Sequence, residues 1–264
     1  MKIWPLLLTL SRLILLPAAC LQLAGPPAWA DDSKDEALAR LAASHDPEIP
    51  IAIGRVVIKQ AGLKVIRASL AARGRGLDLG PDWNPAAPEW RAAEAQLAIL
   101  VDGLIAARLD DPAWFGEGLA RVAAVALNAE EADEIATHFA SEGGREQRVA
   151  IELLLMGETV LANYTFTDRI DHRIQGPERE LAHLQEIWSA REPFRVRDLS
   201  RYPEVARFAG KNPGIKYTKM LAIQGIEVIT TRIDLTAAQA VQAVEAADIQ
   251  PCVDAFRLRK AESR

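Results

Sequence analysis

The sequence predicts an all-α protein: a multi-helix bundle or array of helical hairpins, about seven to nine helices after a cleaved signal peptide. Three observations carry that expectation. Apolar residues recur at spacings of three and four through much of the chain. Glycine, proline and capping residues fall between those stretches. No Asn-Gly or Asp-Gly hairpin signal separates alternating apolar and polar runs.

Residues 1–30 read as an export signal. Lys2 and Arg12 make a basic start, Leu13 to Gly25 form a short apolar run, and Ala28-Trp29-Ala30 supplies the small-x-small pattern of a cleavage site. Asp31 would begin the mature chain, and the expected location is periplasmic. A retained membrane span would need about 20 apolar residues, and this run is interrupted by Arg12 and by Gly25-Pro26-Pro27. Leu16-Pro17-Ala18-Ala19-Cys20 resembles a bacterial lipobox, with Pro17 where an aliphatic residue is wanted. Lipid attachment at Cys20 is therefore the lesser expectation.

Cleavage leaves 234 residues carrying 29 basic and 36 acidic side chains, a net charge of −7. An acidic field opposes binding to phosphate backbones, so no nucleic-acid partner is expected. Loss of Cys20 leaves Cys252 alone, which forbids an intrachain disulfide. The fold must then rest on its apolar core, for which a 50% hydrophobic composition is ordinary.

Along the chain, residues 31–80 are expected to form a helical pair with a linker, and residues 81–264 the main helical domain. Gly74 to Pro88, with Gly80-Pro81 and Asn84-Pro85, must break the chain between them. Asn128 precedes a Glu-rich first turn and suits an N-cap. Val149, Leu153, Met156, Val160 and Tyr164 form one stripe of a helix expected to be central, widened by Ile151, Leu154 and Leu155. Tyr164 to Pro177 reads as a polar loop, and at its start Asn163-Tyr164-Thr165 matches a glycosylation sequon. Leu181, Leu184 and Trp188 give another stripe; Ile215, Ala222, Ile226, Ile229 and Ile233 give a further one. Asp198 and Thr236 are read as N-caps, and Gly143-Gly144 and Gly210 as helix punctuation.

Within Asn128 to Arg148 an acidic helix leads to Glu134, then to His138-Phe139-Ala140-Ser141-Glu142-Gly143-Gly144. This segment resembles the core signature of the domain-of-unknown-function family 2059, over about residues 110–170. Phe139, Ser141 and Gly144 fall on the family's aromatic, serine and glycine positions, and Glu142 stands where the family has proline. The resemblance implies an exported, largely helical bacterial protein and no known reaction. A second passage, Glu204 to Lys216, repeats the scheme of acidic helix, Phe-Ala, Gly/Pro corner and apolar helix, with Phe208 lying 69 residues after Phe139.

Candidate chemistry is sparse. Glu180 and His183 have the Glu-x-x-His spacing of di-iron bundles, but those sites need two such motifs and two further carboxylates. Asp168, Asp171 and His172 would have to fold back to join them. His138, beside Phe139, reads as structural. Gly-x-Ser-x-Gly, His-Glu-x-x-His, Ser-x-x-Lys, Cys-x-x-Cys and phosphate-cradling glycine loops are all missing from the sequence. No cofactor is expected.

One charge feature breaks the acidic background. Between Glu48 and Asp78 there is no acid, while Arg55, Lys59, Lys64, Arg67, Arg73 and Arg75 are basic. Arg55, Lys59, Lys64 and Arg67 are candidate contacts to anionic lipid or cell-wall polymer; the plainer reading pairs these cations with acidic helices such as Asp32 to Glu36 or Asp110 to Glu117. The sequence thus points to an exported envelope protein that binds an unknown envelope protein or anionic surface rather than catalysing a reaction. Its competitors are a metal-dependent hydrolase built from His138, His172, His183 and Glu180, and an envelope adaptor docking through residues 50–76.

Overall fold

The computed structural model describes residues 32–166, 177–195 and 198–263. Residues 1–30, read above as an export signal, with Cys20 among them, and Asp168, Asp171 and His172 lie outside them. The described residues are all-α, with no strand. In chain order the helices are α1 (Asp32–Ser44), α2 (Glu48–Gly76), α3 (Pro88–Arg108), α4 (Ala113–Ala126), α5 (Ala129–Ala140) and α6 (Glu142–Ile151). They continue as α7 (Thr159–Phe166), α8 (Glu178–Arg195), α9 (Pro203–Ala209), α10 (Asn212–Met220), α11 (Ile226–Ala246) and α12 (Gln250–Glu262). A π-helical segment, Glu152–Glu158, joins α6 to α7, and a second, Leu221–Gly225, joins α10 to α11. Counting each joined pair as one rod gives ten helices among the described residues, one above the expected range. No helix among those residues is long and apolar enough to cross a membrane.

The basic helix α2 runs through the middle of the structure. At about 1.5 Å per residue its 29 residues span about 43 Å, and it packs against α3, α8, α11 and the first π segment. Small residues allow this. A Cβ at Gly54 would lie 2.9 Å from Leu109 Cδ1 and 3.1 Å from Ile233 Cγ1. The stripe expected to be central is buried at Leu153, Met156, Val160 and Tyr164, but Leu154 is exposed. One buried cluster includes Ala37 of α1, Ile53 and Leu70 of α2, Ile233 of α11 and Phe256 of α12. Leu79, Trp83 and Ala87, in the connection after α2, belong to the same cluster.

Two local readings change. Thr236 sits inside α11, buried, with its hydroxyl donating to the Arg232 carbonyl, so it caps nothing. Ile215 is 43% exposed, because the π segment at Leu221–Gly225 widens the helix and rotates the earlier residues relative to the later ones. Tyr217, Leu221, Ile229 and Ile233 face inward instead.

The repeat is visible in the backbone, in a register of 70 residues rather than 69. Ser141 N–H donates to the His138 carbonyl and Lys211 N–H to the Phe208 carbonyl, both at 3.0 Å. Arg145 then donates to Ser141, and Ile215 to Lys211. Gly144 and Gly214 sit against those same carbonyls: an added Cβ would be 1.9 Å from His138 O and 2.2 Å from Phe208 O. A π segment follows each corner. His138 therefore corresponds to Phe208, and the two rings stack at 3.8 Å with 9° between their planes. The π segments also pack against each other.

Candidate functional site

Where the two π segments meet, a polar centre is buried in the apolar core. His45 enters it from the turn after α1, Glu152 begins the first π segment, and Tyr217 comes from α10 just before the second. His45 Nδ1 is 2.8 Å from Glu152 Oε1, with the two side chains 1% and 3% exposed. Nε2 of the same ring contacts the Tyr217 hydroxyl. Glu152 Oε1 also accepts the Asp46 N–H at 3.2 Å and lies 3.6 Å from Arg148 Nε. A carboxylate is an acceptor, so Nδ1 carries the proton and Nε2 accepts from the phenol. Burial, reinforced by the charge of Glu152, pushes the Tyr217 hydroxyl well above its ordinary value, which keeps it a donor. Phe115 and Phe139 surround the imidazole edge-on at 6.1 and 6.2 Å, and Tyr217 stacks on it at 5.9 Å.

The turn that presents His45 is clamped from outside. Arg191 of α8 reaches both Asp46 and Glu48, and Asp46 Oδ1 accepts the Glu48 N–H at 2.9 Å. Beside this turn, α1 and α4 leave an open cleft of about 750 Å³. Its walls are largely apolar, including Leu38, Ala39, Ala42, Phe115 and Ala120; His45 borders it, and Asp35, Glu117 and Arg121 contribute charge. Gly116 brings the two helices close, its missing Cβ lying 3.5 Å from that of Ala42. A cleft of this size and lining suits an apolar ligand.

The residues singled out from the sequence fall in two other places. Glu134, Phe139, Ser141 and Gly144 make the α5–α6 corner. Glu134 pairs with Lys211, Phe139 is buried against Phe208 and Tyr217, and Ser141 Oγ accepts the Gly144 N–H at 3.1 Å while donating to His138 O at 2.7 Å. Asn128 forms a full capping box with Glu131. His138 is buried in this corner, Nε2 2.7 Å from Gln147 Oε1, and burial lowers its pKa although Gln147 and the charges of Glu204 and Glu134 oppose the shift.

Arg55, Lys59, Glu180 and His183 line a polar cleft between α2, α3 and α8. There Arg55 pairs with Asp110 at 2.7 Å, and Lys59 with Asp102 at 2.9 Å and Glu180 at 2.6 Å. Farther along α2, Arg67 pairs with Glu94 at 2.8 Å, and Lys64 is exposed. Burial lowers the Lys59 pKa, but its two carboxylates outweigh burial and raise it. His183 is half-exposed, 3.9 Å from Glu186. Among the described residues no three His, Cys, Asp or Glu side chains gather as metal ligands, and His138 is engaged elsewhere, with Phe208 and Gln147. His45, Glu152 and Tyr217 were not singled out from sequence. The available signal was Glu152, a carboxylate three residues after Val149 and four before Met156, in the phase of a buried stripe.

Compared with known proteins, the chain matches no family model, no curated protein and no solved structure.

Proposed function

We propose that this is an exported, periplasmic helical protein that binds a ligand without transforming it, and that the α1–α4 cleft holds an aliphatic chain. The observation that carries the reading is the closure of the polar centre beside the cleft. His45, Glu152 and Tyr217 satisfy one another behind a wall of aromatic rings, with almost no side-chain surface open to a substrate. A general base must reach the proton it removes, and here both ring nitrogens are already engaged. The cleft offers apolar area instead, at about 25 cal/mol per Å² buried. Export is supported by the basic start, apolar run and Ala28-Trp29-Ala30 of the N-terminal sequence. Docking on an anionic surface through α2 has weaker support, since Arg55, Lys59 and Arg67 already meet carboxylates.

The test is titration with a dansyl-labelled undecanoic acid. Saturable fluorescence enhancement is expected, lost in Ala42→Phe and Ala120→Phe variants that fill the cleft and retain native circular dichroism. Unchanged binding in both variants would overturn the assignment. N-terminal sequencing of protein from an envelope fraction should begin at Asp31; an intact chain in the cytosol would overturn export.

A further inference from the structure

Helix α3 is apolar on both of its faces. At about 100° per residue, Ala92, Ala95, Ile99, Gly103 and Ala106 fall within an arc of about 80°, and all five are exposed. On the opposite side Trp90, Ala93, Leu97, Val101 and Ile105 are buried in the core. A surface helix carries its charges on the face turned away from the core, and a helix that is apolar all round is covered all round. The outward arc of α3 holds no charge, and Ile99 at its centre is 70% exposed.

The face continues onto its neighbours. α11 runs antiparallel beside α3, Gln96 donating to the Asp248 carbonyl at 3.2 Å and Arg232 to the Arg108 carbonyl at 2.8 Å, and its Leu235 is 54% exposed. α12 crosses the start of α3, where Arg259 pairs with Glu89 at 2.7 Å and the adjacent Leu258 is 63% exposed. The 21 residues of α3 extend about 32 Å, and a flanking helix about 8–10 Å away widens the face to about 20 Å. An outline of about 600 Å² is on the scale of the roughly 800 Å² that each partner contributes to a specific interface.

Charges at the border of the arc select the partner. Arg91 and Asp102 lie along one edge, 11 positions and about three turns apart. Arg91 donates to the Ala86 carbonyl at 3.3 Å and meets no carboxylate among the described residues. Asp102 gives one oxygen to Lys59, with its side chain 53% exposed. A second α3 laid antiparallel across a two-fold axis keeps this edge on the same side and brings Arg91 of each copy level with Asp102 of the other. A parallel copy makes neither pair. In the antiparallel register Ile99 of one copy stands over the gap between Ala92 and Ala95 of the other, and Leu258, beside Glu89, stands within a turn of the other's Ala106. Large side chains therefore meet small ones in the same register that joins opposite charges.

We infer that this face docks a second copy of the chain, forming a two-fold dimer through antiparallel α3 helices. A self-complementary patch of this kind closes on itself and leaves no copy of the face open.

Sedimentation velocity of the purified protein between about 1 and about 100 μM tests the inference. A reversible monomer–dimer equilibrium with a Kd of about 1–50 μM is expected for an interface at the small end of the specific range. Ile99→Glu, at an exposed position where native circular dichroism should persist, should raise the Kd at least about thirtyfold. Arg91→Glu sets a carboxylate against Asp102 of the other copy and should raise it about tenfold. Val125→Glu, on α4 at a side chain 89% exposed, should leave it unchanged. The register has its own readout in a Cys252→Ser background. Under mild oxidation Ala95→Cys should link the copies, because the two positions are offset by about 4–5 Å along the helices, whereas Ala106→Cys, offset by about 28 Å, should not. A monomer at every concentration, a Kd of Ile99→Glu equal to wild type, a loss in Val125→Glu as large as that in Ile99→Glu, or linkage through Ala106→Cys as ready as through Ala95→Cys would overturn the dimer.

Discussion

His45 and Glu152, 107 residues apart in sequence, lie 2.8 Å apart in the core and tie the α1–α2 turn to the first π segment. Removing one partner of a buried, hydrogen-bonded pair strands the other. Glu152→Ala should therefore cost about 3–5 kcal/mol, measured as a shift of the urea midpoint at constant slope. Tyr217→Phe leaves His45 Nε2 without its donor and should cost about 1–3 kcal/mol. A His45→Phe, Glu152→Leu double variant removes the whole polar pair and should lose less than His45→Phe and Glu152→Leu made singly and summed. Strict additivity would show that the pair is not coupled.

The corner glycines predict opposite signs for the same substitution. Gly144→Ala and Gly214→Ala drive a methyl group onto a backbone carbonyl that has no rotamer to escape into, at 1.9 and 2.2 Å. Each should lose about 3 kcal/mol. Gly103, on the exposed face of α3, has nothing within 4 Å of an added Cβ. There Gly→Ala should gain about 0.5–1 kcal/mol from helix propensity and reduced unfolded-state entropy. Thermal melts of the three variants read the contrast directly.

Much of this fold was legible because amphipathic helices announce themselves at spacings of three and four. Leu153, Met156, Val160 and Tyr164 are buried as that rule requires, and Asn128 caps as its position suggests. Periodicity failed where the helix itself departs from 3.6 residues per turn. Ile215 was assigned inward by extrapolating a phase across Leu221–Gly225, and a π segment breaks such extrapolation. The repeat was misaligned by one position because the two aromatic residues Phe139 and Phe208 match in type; the backbone equates Phe208 with His138. The polar centre was illegible for a different reason. Its three side chains come from three distant segments, and nothing in a single sequence pairs His45 with Tyr217 across 172 positions.

Lys59 offers a test of whether the charges of α2 serve the fold. Its ammonium bridges Asp102 and Glu180, with its own side chain 27% exposed and that of Glu180 13% exposed. Lys59→Met keeps the aliphatic stem and leaves Glu180 facing Asp102 without a cation. A loss of about 1 kcal/mol is expected, discounted for the exposure of the pair. Because ions screen the carboxylates from each other, 0.5 M salt should restore part of that loss. A stability equal to wild type at low salt would return Lys59 to the role of a free surface cation.

His138 gives the protein a built-in pH response with a definite sign. Burial lowers its pKa below the ordinary value of 6.5, outweighing the Gln147 hydrogen bond and the nearby carboxylates Glu204 and Glu134. Below about pH 6.5 the unfolded chain therefore binds a proton that the folded chain resists, so stability rises with pH in that window and falls as the medium is acidified. The neutral ring is also the one stacked face to face on Phe208 at 3.8 Å. His138→Phe retains a ring for that stack and removes the titration. Urea unfolding at pH 7.5 and pH 5.5 should show a drop in wild-type stability that is smaller in the variant. An equal drop in both proteins would assign the acid sensitivity to other groups and leave the imidazole a purely steric element of the corner.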